Sequence, residues 1–191
     1  MMSYRVQTLQ QPRKGCFLLA NAYLGDPNFD RSVVLLTEHN EEGSLGFVLN
    51  QPTDISLNAL LPDFPEFPAS VFNGGPVEKD HLYYVHSRED LIPESQKIRD
   101  GLYWGGEFDA LKEQVLSGTL CPQDIHFYLG YSGWSLGQLH EEIQEKSWSI
   151  MDPKRIDLAD MRSAELWKGL MRDSGTEQSY WHLAPEDPQL N

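Results

Sequence analysis

The sequence predicts an α+β domain with a largely antiparallel sheet, and three observations carry that reading. Apolar β-type runs occur in adjacent pairs separated by turn residues, as Ser32–Thr37 and Leu45–Leu49 are by Glu41-Glu42-Gly43-Ser44. Stretches with helical periodicity stand alone between strands, the clearest being Phe108, Leu111, Val115 and Leu116 ended by Gly118. Strands and helices do not alternate regularly, which separates the pattern from a parallel α/β fold. The 191 residues suit one large domain. Folding a chain of that size buries roughly 70% of the unfolded surface, so a core forms without staples.

Taken in order, residues 1–14 are polar and read as a flexible tail, anchored at most by Val6 and Leu9, with one domain over 15–191. Cys16–Tyr23 reads as a strand, followed by a Gly25-Asp26-Pro27-Asn28 turn. Its five-residue apolar run is too short for a secretory leader, which needs roughly 7–15. After the Ser32–Leu49 hairpin, Asp54 and Ser56 can cap a short helix through Leu57, Leu60 and Leu61. Pro62, Pro65 and Pro68 end it, and Phe64 and Phe67 mark the connection as a packed loop.

Val71-Phe72 leads into a tight Asn73-Gly74-Gly75-Pro76 turn, and Leu82–Val85 and Leu102–Trp104 are strands. Ile125–Leu129 is another strand, and its Gly130–Gly137 continuation reads as a glycine connection into a helix opened by Ser135. Gln138, three positions on, completes a capping box. Leu136, Leu139 and Ile143 form that helix's inner stripe, with Glu141, Glu142 and Glu145 outside. Trp148–Met151 is a strand and Ala164–Met171 a helix with Trp167, Leu170 and Met171 inward. The segment after Gly175 can be pinned only by Tyr180, Trp181 and Leu183.

Charge bounds the function. Fifteen Lys and Arg against 29 Asp and Glu leave −14, a field that repels phosphate backbones and anionic lipid. The basic residues lie in scattered pairs, Arg13-Lys14, Lys97 with Arg99, and Lys154-Arg155, and not along one helix face. Direct nucleic-acid binding is therefore not expected. No stretch reaches the roughly 20 apolar residues of a membrane span. Cys16 and Cys121 are too few for a disulfide framework or a zinc site, which fits a reducing compartment.

The motifs stop short of chemistry. Gly130-Tyr131-Ser132-Gly133-Trp134-Ser135-Leu136-Gly137 sits where a phosphate loop would, yet has neither the GxGxxG nor the Gly-Lys-Ser/Thr spacing. Ser132 lacks the following glycine of a nucleophile elbow, because position 134 is Trp. His140-Glu141-Glu142 lacks the second His of a zinc helix, and no other histidine has ligand spacing. No catalytic residue, metal or cofactor is therefore assigned. The binding candidates are Arg31 and His39, from the charge cluster Asp30-Arg31 and Glu38-His39, Asn73, Gly74 and Gly75 from the tight turn, and Trp134 with Gln138 from the glycine run.

Several segments together resemble the YqgE/AlgH family: Phe29-Asp30-Arg31-Ser32 with Val33–Leu36, Glu38-His39, Asn73-Gly74-Gly75-Pro76-Val77, Gly130-Tyr131-Ser132-Gly133-Trp134, Gly137-Gln138-Leu139, Glu142, Trp148, Leu166-Trp167 and Leu190-Asn191. The resemblance runs from about Gly15 to Asn191. It implies a curved, barrel-like sheet flanked by helices, a bacterial cytoplasmic protein, and a transcriptional-regulator label with no catalytic residues to carry over. Against the charge, that label implies indirect action through a protein partner. Two expectations follow: a non-enzymatic regulatory or adaptor protein whose ligand or partner the sequence does not name, or a small-molecule-binding protein or enzyme with its site between the Asn73–Val77 turn and the Gly130–Gly137 loop.

Overall fold

The computed structural model describes residues 6–154, 158, 160–163, 165–175 and 177–184. Among them, one ten-stranded sheet runs in the order β1 (Val6–Thr8), β10 (Trp148–Pro153), β2 (Phe17–Ala20), β3 (Val33–Asn40), β4 (Gly43–Val48), β9 (Ile125–Ser135), β6 (Val77–His86), β8 (Leu102–Trp104) and β7 (Gln96–Arg99). β5 (Val71–Asn73) lies beside β9 in a parallel pair, whereas the other ladders are antiparallel. The fold class is α+β, as predicted. The hydrogen-bonded path has two ends, so the barrel-like expectation holds loosely. Side chains link the β7 end back to the strands beside β1: Arg99, at the end of β7, pairs with Asp152 of β10 at 3.0 Å and donates to the Gly15 carbonyl at 3.2 Å.

The continuous apolar runs have a simple cause. β2 and β3 are buried on both faces, so alternate residues feed two different clusters. Phe17, Leu19, Val33, Leu35, Phe47 and Met151 pack with Trp167, Leu170 and Met171 of α4 (Leu166–Asp173). Cys16, Leu18, Val34, Leu36, Val48 and Ile150 pack with Trp134, Trp148 and Leu139 of α3 (Gln138–Gln144). A third cluster joins Leu57 of α1 (Leu57–Leu60) and Leu111 and Val115 of α2 (Phe108–Leu116) to Phe64, Phe67 and Phe127. The proline-rich connection is thus a packed loop, as its phenylalanines require.

The predicted hairpin forms: Val34 pairs with Val48 and Asn40 with Gly43, with a bulge between Leu36 and Glu38. Ser56 caps α1 by accepting from the Ala59 amide. Within the segment read as a tail, Val6–Thr8 pairs with β10 and the Leu9 amide donates to the Ile150 carbonyl.

Other expectations need correction. The strand Ile125–Leu129 does not end at Gly130 but continues to Ser135, because Tyr131 pairs with Val77, Ser132 with Gly46 and Ser135 with Gly43. The glycines are therefore strand residues and not a strand-to-helix connection. α3 starts at Gln138 with Gly137 as its N-cap at φ +84°, so Leu136 lies outside the helix and is 71% exposed. At the two ends of α2, Phe108 and Leu116 are exposed, while Leu111 and Val115, one turn apart, face the core. Tyr180 and Leu183 are exposed as well, and it is Trp181 that packs against the core. Ala164 lies outside the described residues.

Candidate functional site

The Asn73–Val77 turn and the Gly130 region meet directly, and backbone fills the junction. The Gly74 amide donates to the Leu129 carbonyl, the Val48 amide to the Gly74 carbonyl at 2.9 Å, and the Ser132 hydroxyl to the same oxygen at 3.1 Å. A Cβ on Gly74 would stand 2.2 Å from the Gly130 carbonyl oxygen. On Gly75 it would stand 2.3 Å from the Tyr131 carbonyl carbon. Neither position leaves room for a ligand. Asn73 is held too: its side-chain amide donates to Gln51 Oε1 at 2.9 Å.

Beside this junction, Val77, Tyr131, Gly133 and Trp134 line a cavity of about 390 Å³ together with Glu38, Glu42, Ser44 and Leu45. Trp134 itself is 5% exposed and packs with Phe29 and Trp148. Its indole N–H donates to Glu142 Oε2 at 2.9 Å, and the Trp148 indole donates to the same oxygen at 2.7 Å. Glu142, expected on an outer helix face, is thus the shared acceptor of two tryptophans. Gln138 donates to the other Glu142 oxygen and accepts from the Ser135 amide and hydroxyl, reaching back as predicted. The Trp–Glu–Trp arrangement accounts for Trp134, Gln138, Glu142 and Trp148 structurally.

Arg31 and His39 are not brought together. Arg31 precedes β3, stacks its guanidinium 5.3 Å from the Trp167 ring and donates to the Ala184 carbonyl. His39 lies near the far end of β3, where Nδ1 meets the Ser44 hydroxyl at 2.8 Å.

One half-buried pair has the outline of a nucleophile and its base: Ser95 Oγ lies 3.0 Å from His86 Nε2. The hydrogen bonds assign the opposite polarity. His86 Nδ1 accepts from the Arg88 amide, so the ring proton sits on Nε2, which faces the Gly105 carbonyl and Ser95. Burial holds the imidazole neutral by pushing its pKa down. His86 cannot take the Ser95 proton, and the pair locks the β6–β7 connection instead. Among the described residues, no group of three or more His, Cys, Asp and Glu is placed to hold a metal ion.

The largest convergence of charge lies elsewhere, at the seam between the sheet ends. Arg13, Lys14, Arg99, Asp100, Gly101, Asp152 and Lys154 line a cavity of about 560 Å³. Four of the chain's fifteen Lys and Arg meet there, from three pairs that looked scattered in sequence. Asp152 uses one carboxylate oxygen for Arg13 and the other for Arg99. Lys97 holds Asp100 at 2.7 Å and lowers its pKa through that bond. Among the described residues, Lys14 and Lys154 have no ion-pair partner. Beneath the cavity Cys16 is buried, accepts from the Arg13 amide, and has its thiol pKa pushed up to about 11 by burial. It is a core residue and not a nucleophile. Sequence reading missed this site because residues 13–14, 99–101 and 152–154 come together only when the curled sheet brings β7 up to β10.

The sequence profile of the AlgH-like family matches residues 17–179. The chain belongs to the AlgH-like family. It is 41% identical over 182 residues to a UPF0301 protein of Parabacteroides distasonis, covering 94% of this chain and 92% of that one. It is 40% identical over 180 residues to a UPF0301 protein of Cytophaga hutchinsonii, covering 93% and 98%. The solution structure of AlgH from Pseudomonas aeruginosa superposes with a TM-score of 0.60 at 28% identity, over 93% of this chain and 94% of that one. A crystal structure from Corynebacterium diphtheriae gives 0.69 at 20% identity over 91% and 93%, a likeness of fold alone. The AlgH-like family profile spans the glycine junction, the Trp–Glu–Trp arrangement and most of the basic cavity, with Arg13 and Lys14 just ahead of it. Among the described residues, no helix is long and apolar enough to cross a membrane.

Proposed function

We propose that this protein is a non-enzymatic regulatory or adaptor protein of the cytoplasm that binds a small anionic ligand in the basic cavity and acts through a protein partner. The convergence of Arg13, Lys14, Arg99 and Lys154 on one cavity in a chain of net charge −14 carries the proposal. An overall negative field repels anions, so cations gathered in a concave site mark where an anion is attracted locally. The cavity volume of about 560 Å³ lies within the range of small-molecule sites. Any effect on transcription passes through the partner, because the rest of the surface opposes a DNA backbone.

The cavity beside the glycine junction supports a catalytic role less well. Its Ser44 is engaged by His39 and its Trp134 indole by Glu142, and the half-buried Ser95–His86 pair elsewhere in the fold has the wrong proton placement for a base. A complementation assay in a strain lacking the gene, run beside binding measurements, tests the proposal. A Lys14→Gln, Lys154→Gln variant is expected to fold, to lose anion binding and to fail to complement. Full complementation by a variant that binds no anion would refute the regulatory role of the cavity. Duplex DNA at physiological salt is expected to give no saturable, salt-sensitive binding tighter than about 1 μM.

A further inference from the structure

Building on the anion-binding proposal, we infer that the ligand of the seam cavity is a small phosphomonoester, recognised through its terminal phosphate dianion. Three features select the class. First, the cations are gathered around a point: Asp152 takes one oxygen to Arg13 and the other to Arg99, drawing two guanidiniums onto a single carboxylate. A tetrahedral anion with three terminal oxygens accepts from donors converging in this way, whereas a dicarboxylate places its charges several bonds apart. Second, the charge favours an anion bearing more than one charge. Four lining cations face Asp152 and Asp100, and Lys97 also neutralises Asp100, so the cationic excess is at least two. Third, that excess is available. Arg13 and Arg99 share Asp152 and Lys97 holds Asp100, leaving the ammonium groups of Lys14 and Lys154 without an ion-pair partner among the described residues. Guanidinium forks with flexible point charges beside them are a common donor set for phosphate. The small-molecule form is favoured over a polyanion by the bounded volume and by the repulsive field of the remaining surface.

The ligand's own ionisation supplies the test. A phosphomonoester gains its second charge near pH 6. Among the described residues, the lining and the groups bonded to it comprise Arg13, Lys14, Lys97, Arg99, Asp100, Asp152, Lys154 and Cys16, with no histidine, the side chain that ordinarily titrates there. Phenyl phosphate, inorganic sulfate and succinate titrated into the full chain, followed by amide chemical shifts and calorimetry, separate the possibilities. Phenyl phosphate should shift the amides of Lys14, Gly101 and Lys154 and bind about tenfold more tightly at pH 7.5 than at pH 5, following its dianion fraction. Sulfate, a dianion throughout, should bind with no such change, and succinate at least about tenfold more weakly than phenyl phosphate. Lys14→Gln and Lys154→Gln, both on exposed positions, should each weaken phenyl phosphate about tenfold, the scale of one charge-assisted hydrogen bond, with unchanged Tm.

A phosphate affinity independent of pH, or succinate binding as tightly, would overturn the phosphomonoester class and leave the anion site standing. A 5′-phosphorylated oligonucleotide binding more than about tenfold tighter than phenyl phosphate would replace the small molecule with a nucleic acid. Probes that shift none of the lining amides would overturn the anion site as well.

Discussion

The glycine junction and the basic cavity are opposites. The first is dense in motif and holds no ligand space, because Gly74 and Gly75 press backbone against backbone at the Gly130–Tyr131 segment. The second is assembled from ordinary-looking pairs, yet it gathers four cations in about 560 Å³. A run of glycines, serines and tryptophans reports where strands must approach closely, and close approach excludes ligands. Recognition chemistry arises where distant segments leave a gap lined by charge, and the order of residues along the chain does not announce it.

Five substitutions or conditions sharpen that contrast. The largest effect belongs to the motif-rich side. Trp134→Ala should lower stability by about 3–5 kcal/mol, as large core truncations do, measured by denaturant unfolding. It should leave anion affinity unchanged in the folded fraction. Gly74→Ala follows, at about 3 kcal/mol, because its Cβ would overlap the Gly130 carbonyl oxygen at 2.2 Å and force backbone to move. Gly101→Ala is the control at the cavity. It has φ +73° but nothing within 4 Å of its Cβ, so only the left-handed backbone term of about 1–2 kcal/mol applies. Equal costs at Gly74 and Gly101 would remove the distinction between a packed junction and an open site.

Histidine linkage gives the next effect. His86 has its pKa lowered in the fold, chiefly by burial, so below the unfolded value of about 6.5 the unfolded chain binds the extra proton. Its contribution to stability is complete above that pH and is lost as pH falls toward the depressed folded value. Stability should therefore fall as pH drops below about 6.5, and this fall should flatten in His86→Gln. An unchanged slope in that variant would place the acid sensitivity elsewhere. The smallest effect on stability is at the cavity rim. Lys14→Gln with Lys154→Gln should change unfolding free energy by no more than about 0.5 kcal/mol while removing anion binding.

Local patterning made much of the fold legible. The hairpin, the capped α1 and the inward Trp167, Leu170 and Met171 followed from apolar period and turn chemistry. What failed was the end of β9. Gly130 and Gly133 looked like a stop, but Gly43 at the start of β4 and Gly75 in the turn before β6 let backbone approach β9 closely, so the ladder continues. Glu142 read as a solvated outer residue because the second indole N–H, from Trp148, arrives on a strand six positions away. The basic cavity was invisible for the same reason: Arg99 reaches Asp152 only once both ends of the sheet have been laid down.

The most direct measurement is the position of a bound tetrahedral dianion. Crystals grown with selenate, located by its anomalous signal, are predicted to place the anion in the seam cavity within hydrogen-bonding distance of Lys14, Lys154 and the Arg13 or Arg99 guanidinium. Selenate bound at the Gly74–Gly130 junction, or absent from the cavity while saturating elsewhere, would contradict the account.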